Sequence, residues 1–403
     1  MATNTIALSP AVRRAAETAL ADIAEVLEDP PPPHDGDKLL AVSLLSNEPG
    51  YALFYSYLDR LQPAARHRKR AQRNLARAMT TLPKASGRPF FSYGFTGASW
   101  AFQHLAGWMI DMPPDGFDDI DAALCEIVER APTVSFDIQH GLAGFGIYAL
   151  ERLPAPGAQR LLELVVERLG RMSEPGTEGR TWRMVNAQWV EMPHLDQLAR
   201  GIYGPGVFNG VAGIAGVLGG ATGAGIAARP LLESALSWIW YALRRMPKSA
   251  TWMDGALGIA TVVHAAARRA GLASWEERAH DLALQVARAT PRMTQSGLAR
   301  GAAGAAVMFA RLYRTTGERP FGDASIAYLE RLLRRRRPGE GLAGYRWYSP
   351  VWQRGYVGDP KFPTGWIGTP GLLVGVTGIG LALLAFLDER EPEWDRALLL
   401  SHR

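Results

Sequence analysis

One short turn recurs seven times along this chain of 403 residues, and an apolar segment follows each copy. A degenerate first copy reads Asn47–Gly50, and the other six have the pattern Gly-x-x-Gly. The first positions of successive copies are 47, 47, 69, 45, 46 and 74 residues apart. A fixed period with two longer steps is typical of a repeat architecture. The six complete turns are Gly94–Gly97, Gly141–Gly144, Gly210–Gly213, Gly255–Gly258, Gly301–Gly304 and Gly375–Gly378.

Each repeat is predicted to consist of two helices. The segments after the turns are rich in Ala, Leu and Gly, and a helix that is apolar on all sides is buried. More polar, amphipathic segments lie between them. Small residues let the inner helices approach closely, and glycine at the turn tolerates a positive φ. An open array would expose apolar helices at both ends, so the pattern favours a closed ring. We therefore predict an all-α fold, an α/α toroid of seven inner and seven outer helices.

The whole chain, 1–403, is predicted to be a single domain. Residues 1–38 are expected to form an N-terminal helix with a Pro-rich linker, and residues 39–403 the seven repeats. All seven turns should then meet at one end of the ring. Helix N-termini with unpaired backbone N–H groups would converge there and favour an anionic substrate.

The two long steps contain insertions, at about 172–209 and 336–374, that lack helical periodicity and are predicted to be loops. Insertions in repeat proteins often lie on the binding face. Their aromatic residues would either contact substrate or pin the loops to the ring. These residues are Trp182, Trp189, Trp347, Trp352, Tyr356 and Trp366.

Composition excludes several classes of function. No apolar run is long enough to predict a membrane span, and the first residues do not resemble a secretory signal. The single cysteine, Cys125, fits a reducing cytoplasm and is interpreted as filling a helix face rather than as a nucleophile. The net charge is +5, with basic runs at Arg66–Arg70 and Arg334–Arg337. No nucleic-acid-binding module accompanies them, so they are interpreted as solvated helix faces.

Four segments resemble repeats of the lanthionine synthetase C-like family, the cyclases of lanthipeptide biosynthesis. SLLSNEPGYALFYSYL (43–58) is similar to the first repeat of that family, and FDIQHGLAGFGIYALERL (136–153) to the third. LARGAAGAAVMFARLYRTTG (298–317) is similar to the sixth repeat, and 372–401 to the last. The resemblance covers about residues 39–401.

The resemblance implies a seven-fold α/α toroid and an intramolecular Michael addition. A cysteine thiol of a precursor peptide adds to dehydroalanine or dehydrobutyrine, and the product is a lanthionine or methyllanthionine thioether. Most members bind zinc through a Trp-Cys-x-Gly turn and a Leu-Cys-His-Gly turn. Here the ligand positions hold Met253, Ala299 and Arg300. Alanine offers no donor and arginine keeps its proton, so no metal and no other cofactor is expected.

Catalysis is therefore assigned to other side chains near the turns. His140 would be the general acid and base, with Asp137 orienting it or stabilising its charge. Asp137 matches a family aspartate, whereas Asn209 replaces a family histidine. Arg300 would stabilise a thiolate or enolate, while Asn209 and Asp254 would bind substrate through hydrogen bonds. The predicted substrate-binding aromatic residues are Tyr203, Trp252, Trp347, Trp352, Tyr356 and Trp366.

Structural alternatives remain open for three of these assignments. Asp137 could cap the inner helix, and His140 could be a satisfied core imidazole. Asp254 and Arg300 could form a salt bridge at the former metal position.

Two functions are compatible with these features. The first is a zinc-independent lanthipeptide cyclase that acts on a dehydrated precursor peptide with a leader. The second is a catalytically inactive scaffold that binds the peptide within a modifying complex. Either would have a dehydratase or a kinase/lyase as a partner. An α/α-toroid glycosidase or terpene cyclase is disfavoured, because neither paired carboxylates at a groove nor an Asp-rich run is present.

Overall fold

A computed structural model describes residues 4–31, 42–85, 87–113, 115–131, 134–184, 204–289, 293–349 and 365–401. They form two compact units, each built from segments distant in sequence. The first unit comprises Met1–Pro113, Ala250–Trp252 and Ala287–Asp395. The second comprises Pro114–Ser249, Met253–Val286 and Arg396–Arg403. The prediction of a single domain stays a prediction.

The described residues form fourteen α-helices. In the first unit these are α1 (Pro10–Val26), α2 (Glu48–Leu61), α3 (Ala65–Thr81), α4 (Phe95–Leu105), α12 (Ala302–Thr316), α13 (Arg319–Arg334) and α14 (Val376–Leu387). In the second they are α5 (Asp118–Arg130), α6 (Leu142–Arg152), α7 (Pro156–Met172), α8 (Val211–Gly223), α9 (Arg229–Leu243) and α10 (Ala256–Ala270). The remaining helix, α11 (Ala273–Ala289), extends from the second unit into the first.

Helices that follow the turns differ in burial from the helices between them. All twelve residues of α14 are buried, as are eleven of the fourteen in α2. By contrast, α3 buries one stripe, with His67, Ala71, Asn74, Leu75 and Ala78 at helical spacing. The predicted alternation of buried and amphipathic helices is therefore present.

Buried helices pack side by side within each unit. In the first unit α12 contacts α14, α14 contacts α2, and α2 contacts α4. In the second, α6 contacts α8 and α8 contacts α10. The N-terminal helix α1 packs on α14 and α13 through a face that includes Ala16, Leu20 and Ile23. It therefore covers the helix of the seventh repeat from the opposite end of the sequence.

Glycine is required at the turns because backbones approach closely, and not because the turns need a positive φ. Gly94, Gly141 and Gly301 have φ values of −141°, −151° and −127°. A Cβ atom on any of them would lie within 3.0 Å of the preceding backbone segment, closer than real Cβ contacts. The second glycine of the turn is equally constrained, since a Cβ on Gly304 would collide with the Leu298 carbonyl.

Short antiparallel strand pairs lie in both insertions that were predicted to be loops. β1 (Glu174–Pro175) pairs with β2 (Arg180–Thr181), and β3 (Trp347–Ser349) pairs with β4 (Gly365–Ile367). Within the described part of the chain, no helix combines the length and the apolar character needed to cross a membrane.

Candidate functional site

The second, third, fourth, sixth and seventh turns share one hydrogen-bonding pattern with the segment that precedes them. In each, the N–H of the residue after the first glycine donates to a carbonyl seven residues earlier. Leu142 donates to Ser135 over 2.9 Å, and Ala302 to Gln295 over 3.1 Å. The next N–H groups of these helices are also bonded, as Ala143 is to Phe136. The expectation of unpaired N–H groups for an anion is therefore wrong at α6 and α12.

Hydrogen bonds also join neighbouring turns within each unit. In the first unit, Leu45 N–H donates to Ser92 O (3.3 Å) and Leu372 N–H donates to Leu45 O (2.7 Å). Ala299 N–H donates to Leu373 O over 2.8 Å and adds the sixth turn to this row. The sixth, seventh, first and second turns are thus consecutive neighbours.

The same arrangement joins the third, fourth and fifth turns in the second unit. Ile138 N–H donates to Phe208 O over 3.2 Å. Val207 and Phe208 N–H groups both donate to Met253 O, over 2.9 and 3.1 Å. Side chains placed on these three turns therefore lie at one edge of the unit.

The third turn brings a buried carboxylate next to a partly exposed imidazole. Asp137 is 3% exposed. Its Oδ1 accepts a 2.7 Å bond from His140 N–H, and its Oδ2 a 2.7 Å bond from the Ser135 hydroxyl. His140 Nδ1 lies 3.7 Å from Asp137 Oδ1, and the imidazole side chain is 32% exposed. Asp137 thus holds the turn in place through two hydrogen bonds, and it lies beside an imidazole that solvent can reach.

Asp137 does not cap helix α6 in the usual sense, because the N-cap position is Gly141 and has no side-chain bond. Its carboxylate instead holds the turn just before the helix. His140 is half-buried rather than enclosed in the core. The arrangement favours a positioned imidazole over the two structural alternatives for this pair.

The fourth turn contributes an amide next to the third. Asn209 Nδ2 donates to Gln139 Oε1 over 3.3 Å, and both side chains are half-buried. Gln139 was not among the predicted site residues. In the sequence, the only sign that Gln139 belongs to this site is its position between Asp137 and His140.

The fifth turn carries Met253 and Asp254, which differ in exposure. Asp254 is exposed and Met253 is half-buried. Trp252, predicted to bind substrate, is only 1% exposed. Its ring fills the interior, so we do not include it in a substrate surface.

The sixth turn carries Ala299 and Arg300 in the first unit. Ala299 is fully buried, whereas Arg300 is half-buried. Gly297, three residues before Arg300, abuts the seventh turn. A Cβ on it would lie 2.8 Å from Val374 Cα.

The described aromatic residues of the second insertion lie on its strand pair. Trp366 is 48% exposed and Tyr348, which faces it across the strands, is 38% exposed. Their rings meet edge to face with centroids 5.4 Å apart. Trp347 is half-buried. Of the other predicted aromatic residues, Trp182 is buried, while Trp189, Tyr203, Trp352 and Tyr356 lie outside the described residues.

The side chains at the three positions where the family resemblance implies zinc ligands are unsuited to binding zinc. Neither Ala299 nor Arg300 can donate an electron pair to zinc, and the neutral thioether of Met253 is a poor ligand for it. Among the residues that the structure describes, no three His, Cys, Asp or Glu side chains are grouped closely enough to hold a metal ion.

The chain is similar to a solved protein, nisin cyclase. The two structures superpose with a TM-score of 0.71, covering 97% of this chain and 98% of that chain, at 14% sequence identity. No protein-family model and no curated protein matches the sequence. The chain has the helical toroid fold of that cyclase, which confirms the predicted all-α toroid. The resemblance to the lanthionine synthetase C-like family is confirmed at the level of the fold.

Proposed function

We propose that this protein is a zinc-independent lanthipeptide cyclase. Its substrate would be a dehydrated precursor peptide, and its products lanthionine or methyllanthionine thioethers. The observation that carries this proposal is the third turn. There a buried carboxylate bonds the His140 backbone and lies 3.7 Å from its accessible imidazole, on the fold of nisin cyclase.

His140 would move the proton that the reaction needs to transfer. The neutral imidazole accepts the proton of the cysteine thiol, and the sulfur then bonds to the β-carbon of the dehydro residue. The electrons of the C=C bond form an enolate, whose α-carbon takes the proton back from the imidazolium. No other reactant is consumed. Imidazole is suited to both transfers because it exchanges protons near neutral pH.

Asp137 would stabilise the imidazolium and limit its orientation. Its carboxylate is buried, and its bonds to Ser135 and the His140 backbone hold it in place. Asn209 and Asp254 would contact the substrate peptide from the neighbouring turns. Arg300 belongs to the first unit, and its role stays as the sequence predicts it: a permanent positive charge for the thiolate or enolate.

The proposed reaction does not use zinc, because the side chains at the three implied ligand positions are unsuited to binding it. Met253, Ala299 and Arg300 together provide no thiolate and no imidazole. Holding the thiol beside the dehydro residue would supply part of the rate that zinc provides elsewhere.

The same substitutions are also compatible with a second candidate, a peptide-binding scaffold without catalysis. In that case the toroid would present the precursor to a dehydratase or to a kinase/lyase. The family resemblance implies that metal-free cyclase domains occur in its kinase-fused relatives. Losing the zinc ligands therefore does not by itself favour the scaffold over the enzyme.

One experiment separates the two candidates. Purified protein is mixed with dehydrated precursor peptide, with and without a chelator, and free thiols are counted by mass spectrometry after alkylation. The cyclase predicts thiol loss that the chelator does not change. Thiol loss no faster than with peptide alone indicates the scaffold, and inhibition by the chelator would contradict the zinc-independent reaction.

A further inference from the structure

A cavity of about 550 Å³ in the first unit is lined mainly by arginine. Its volume lies within the range of pockets that bind small molecules. The arginines are Arg331, Arg334, Arg335, Arg337 and Arg346. One acid, Glu340, also lines it. The basic run Arg334–Arg337 was interpreted from the sequence as a solvated helix face. In the structure it contributes side chains to this pocket.

Two arginines at the end of α13 are available to a ligand. Arg334 and Arg337 side chains are 68% and 71% exposed. A guanidinium has five N–H donors, and Arg334 uses one in a 3.2 Å bond to Glu330. Arg337 lies 4.0 Å from Glu340, beyond a hydrogen bond.

Arg335 and Arg346 form the wall of the pocket. Arg335 donates to the carbonyls of Thr294 and Met293, over 2.8 and 2.7 Å. Burial and the neighbouring Arg331 lower the pKa of Arg335, so positive charge is crowded here. Arg346 lies 5.8 Å from the centroid of the exposed Trp366 ring.

A carboxylate already occupies one edge of this pocket. Glu340 Oε2 lies 2.7 Å from Arg346 Nη2, so the two side chains form an ion pair. One glutamate cannot neutralise five arginines, and further carboxylates would be attracted.

The pocket adjoins the segment that leads into the sixth turn. Ser296, four residues before Arg300, lines it. Gln295 ties this segment to β3, since its Nε2 donates to Tyr348 O (3.4 Å) and its Oε1 accepts from Tyr348 N–H (3.2 Å). A peptide held in the pocket would therefore lie close to a candidate site residue.

We propose that this arginine pocket binds a segment of the substrate peptide that carries several Asp or Glu side chains. The inference rests on the proposed function for the identity of the peptide. Acidic side chains would pair with Arg334 and Arg337, and apolar ones would pack on Trp366. Such a contact would anchor the peptide outside the reacting residues.

Binding can be measured without any cyclisation. The probe is a fluorescein-labelled dodecapeptide with four aspartates, and its matched copy has four asparagines. Fluorescence anisotropy at low salt should give about tenfold tighter binding of the aspartate peptide, because hydrogen bonds between arginine and a carboxylate are stronger than those to a neutral amide. Equal affinity for the two peptides on the wild-type protein would overturn the proposal.

Variants then locate the binding. Arg334→Gln/Arg337→Gln should weaken binding of the aspartate peptide about tenfold. The control, Lys69→Gln/Arg73→Gln, changes the net charge equally on the exposed face of α3 and should leave affinity unchanged. Equal losses in both variants would mean attraction by net charge alone and would contradict a pocket.

Competitors distinguish other anions. Inorganic phosphate or a single-stranded RNA 12-mer that displaces the probe at lower concentration than the unlabelled aspartate peptide would overturn the proposal. Because the probe contains neither thiol nor dehydro residue, its failure would leave the proposed cyclase untouched. Conversely, tight acidic-peptide binding by a protein that forms no thioether would contradict the cyclase alone.

Discussion

The third and sixth turns have the same backbone arrangement but different side chains. Ser135 pairs with Gly141 across an isolated bridge, and Gln295 pairs with Gly301 in the same way. In both turns the next three N–H groups donate to successive carbonyls at closely matching distances. His140 of one turn and Arg300 of the other therefore occupy equivalent positions, immediately before the first glycine.

These two turns are held in their shape by different means. Asp137 in the third turn bonds the backbone through its carboxylate. Its equivalent in the sixth turn is Gly297, where the seventh turn packs so closely that no side chain fits. Close contacts at the glycines thus define the turn in both cases, whereas the side chain immediately before the first glycine differs between the two turns.

The largest expected difference is between two histidines of the second unit. His140→Ala should slow thioether formation by about 10²–10⁴-fold, the usual contribution of a general acid–base group. The matched control is His280→Ala, because His280 Nδ1 lies 3.6 Å from Asp281 Oδ1 on the amphipathic helix α11. Initial rates of thiol loss measure both. An equal effect of the two substitutions would remove the assignment of His140.

A third histidine should affect stability rather than catalysis. Burial lowers the pKa of His264 from its ordinary 6.5 to about 4. Between these pH values the unfolded chain binds the proton and the folded chain does not, so stability falls as the pH falls. The loss over this window is about 3 kcal/mol.

Chemical unfolding at pH 7 and pH 4 tests this difference. His264→Leu should show a smaller loss of unfolding free energy than the wild type across that range. A wild-type profile in His264→Leu would contradict the burial argument.

The sixth turn should not tolerate a side chain where the third carries aspartate. Gly297→Ala places a Cβ 2.8 Å from Val374 Cα and 2.9 Å from Leu373 O, both backbone atoms. We expect a loss of about 2–3 kcal/mol in the free energy of unfolding, as for overpacked sites. Gly339→Ala is not a suitable control, because Gly339 has a φ of +87°. Gly204→Ala is better, since no atom lies within 4 Å of its Cβ position.

The smallest effect is expected when the carboxylate of the third turn is removed. Asp137→Ala leaves the His140 N–H and the Ser135 hydroxyl without their acceptor, at a cost of about 1–2 kcal/mol. Asp137→Asn keeps one acceptor oxygen and should be more stable than Asp137→Ala. Thermal unfolding measures both variants. If the two are equally stable, the bonds to Asp137 do not hold the turn.

The regular part of the fold was predictable because it follows from local pattern. Spacing located the turns, and apolar segments located the helices after them. The tight contact at each turn glycine was not predictable in detail, because a close approach between Gly141 and Ser135 depends on how the preceding segment folds back. The position of α1 against α14 was missed for a similar reason: it joins residues more than 350 positions apart.

The candidate site was predictable only where a single turn contains it. Asp137 and His140 are three residues apart, so their proximity follows from sequence. Gln139 was missed because its partner, Asn209, lies 70 residues away. The pocket at Arg334 and Arg337 was missed because Arg346 and Trp366, which complete it, lie further along the chain and join it only in the folded protein.

The most direct test of the account is the rate of thioether formation in dehydrated precursor peptide by metal-depleted protein, measured for the wild type and His140→Ala. The account predicts a wild-type rate above that of the peptide alone and unaffected by added zinc, with the rate nearly abolished in His140→Ala. Activity that appears only when zinc is restored, or that survives in His140→Ala, would contradict it.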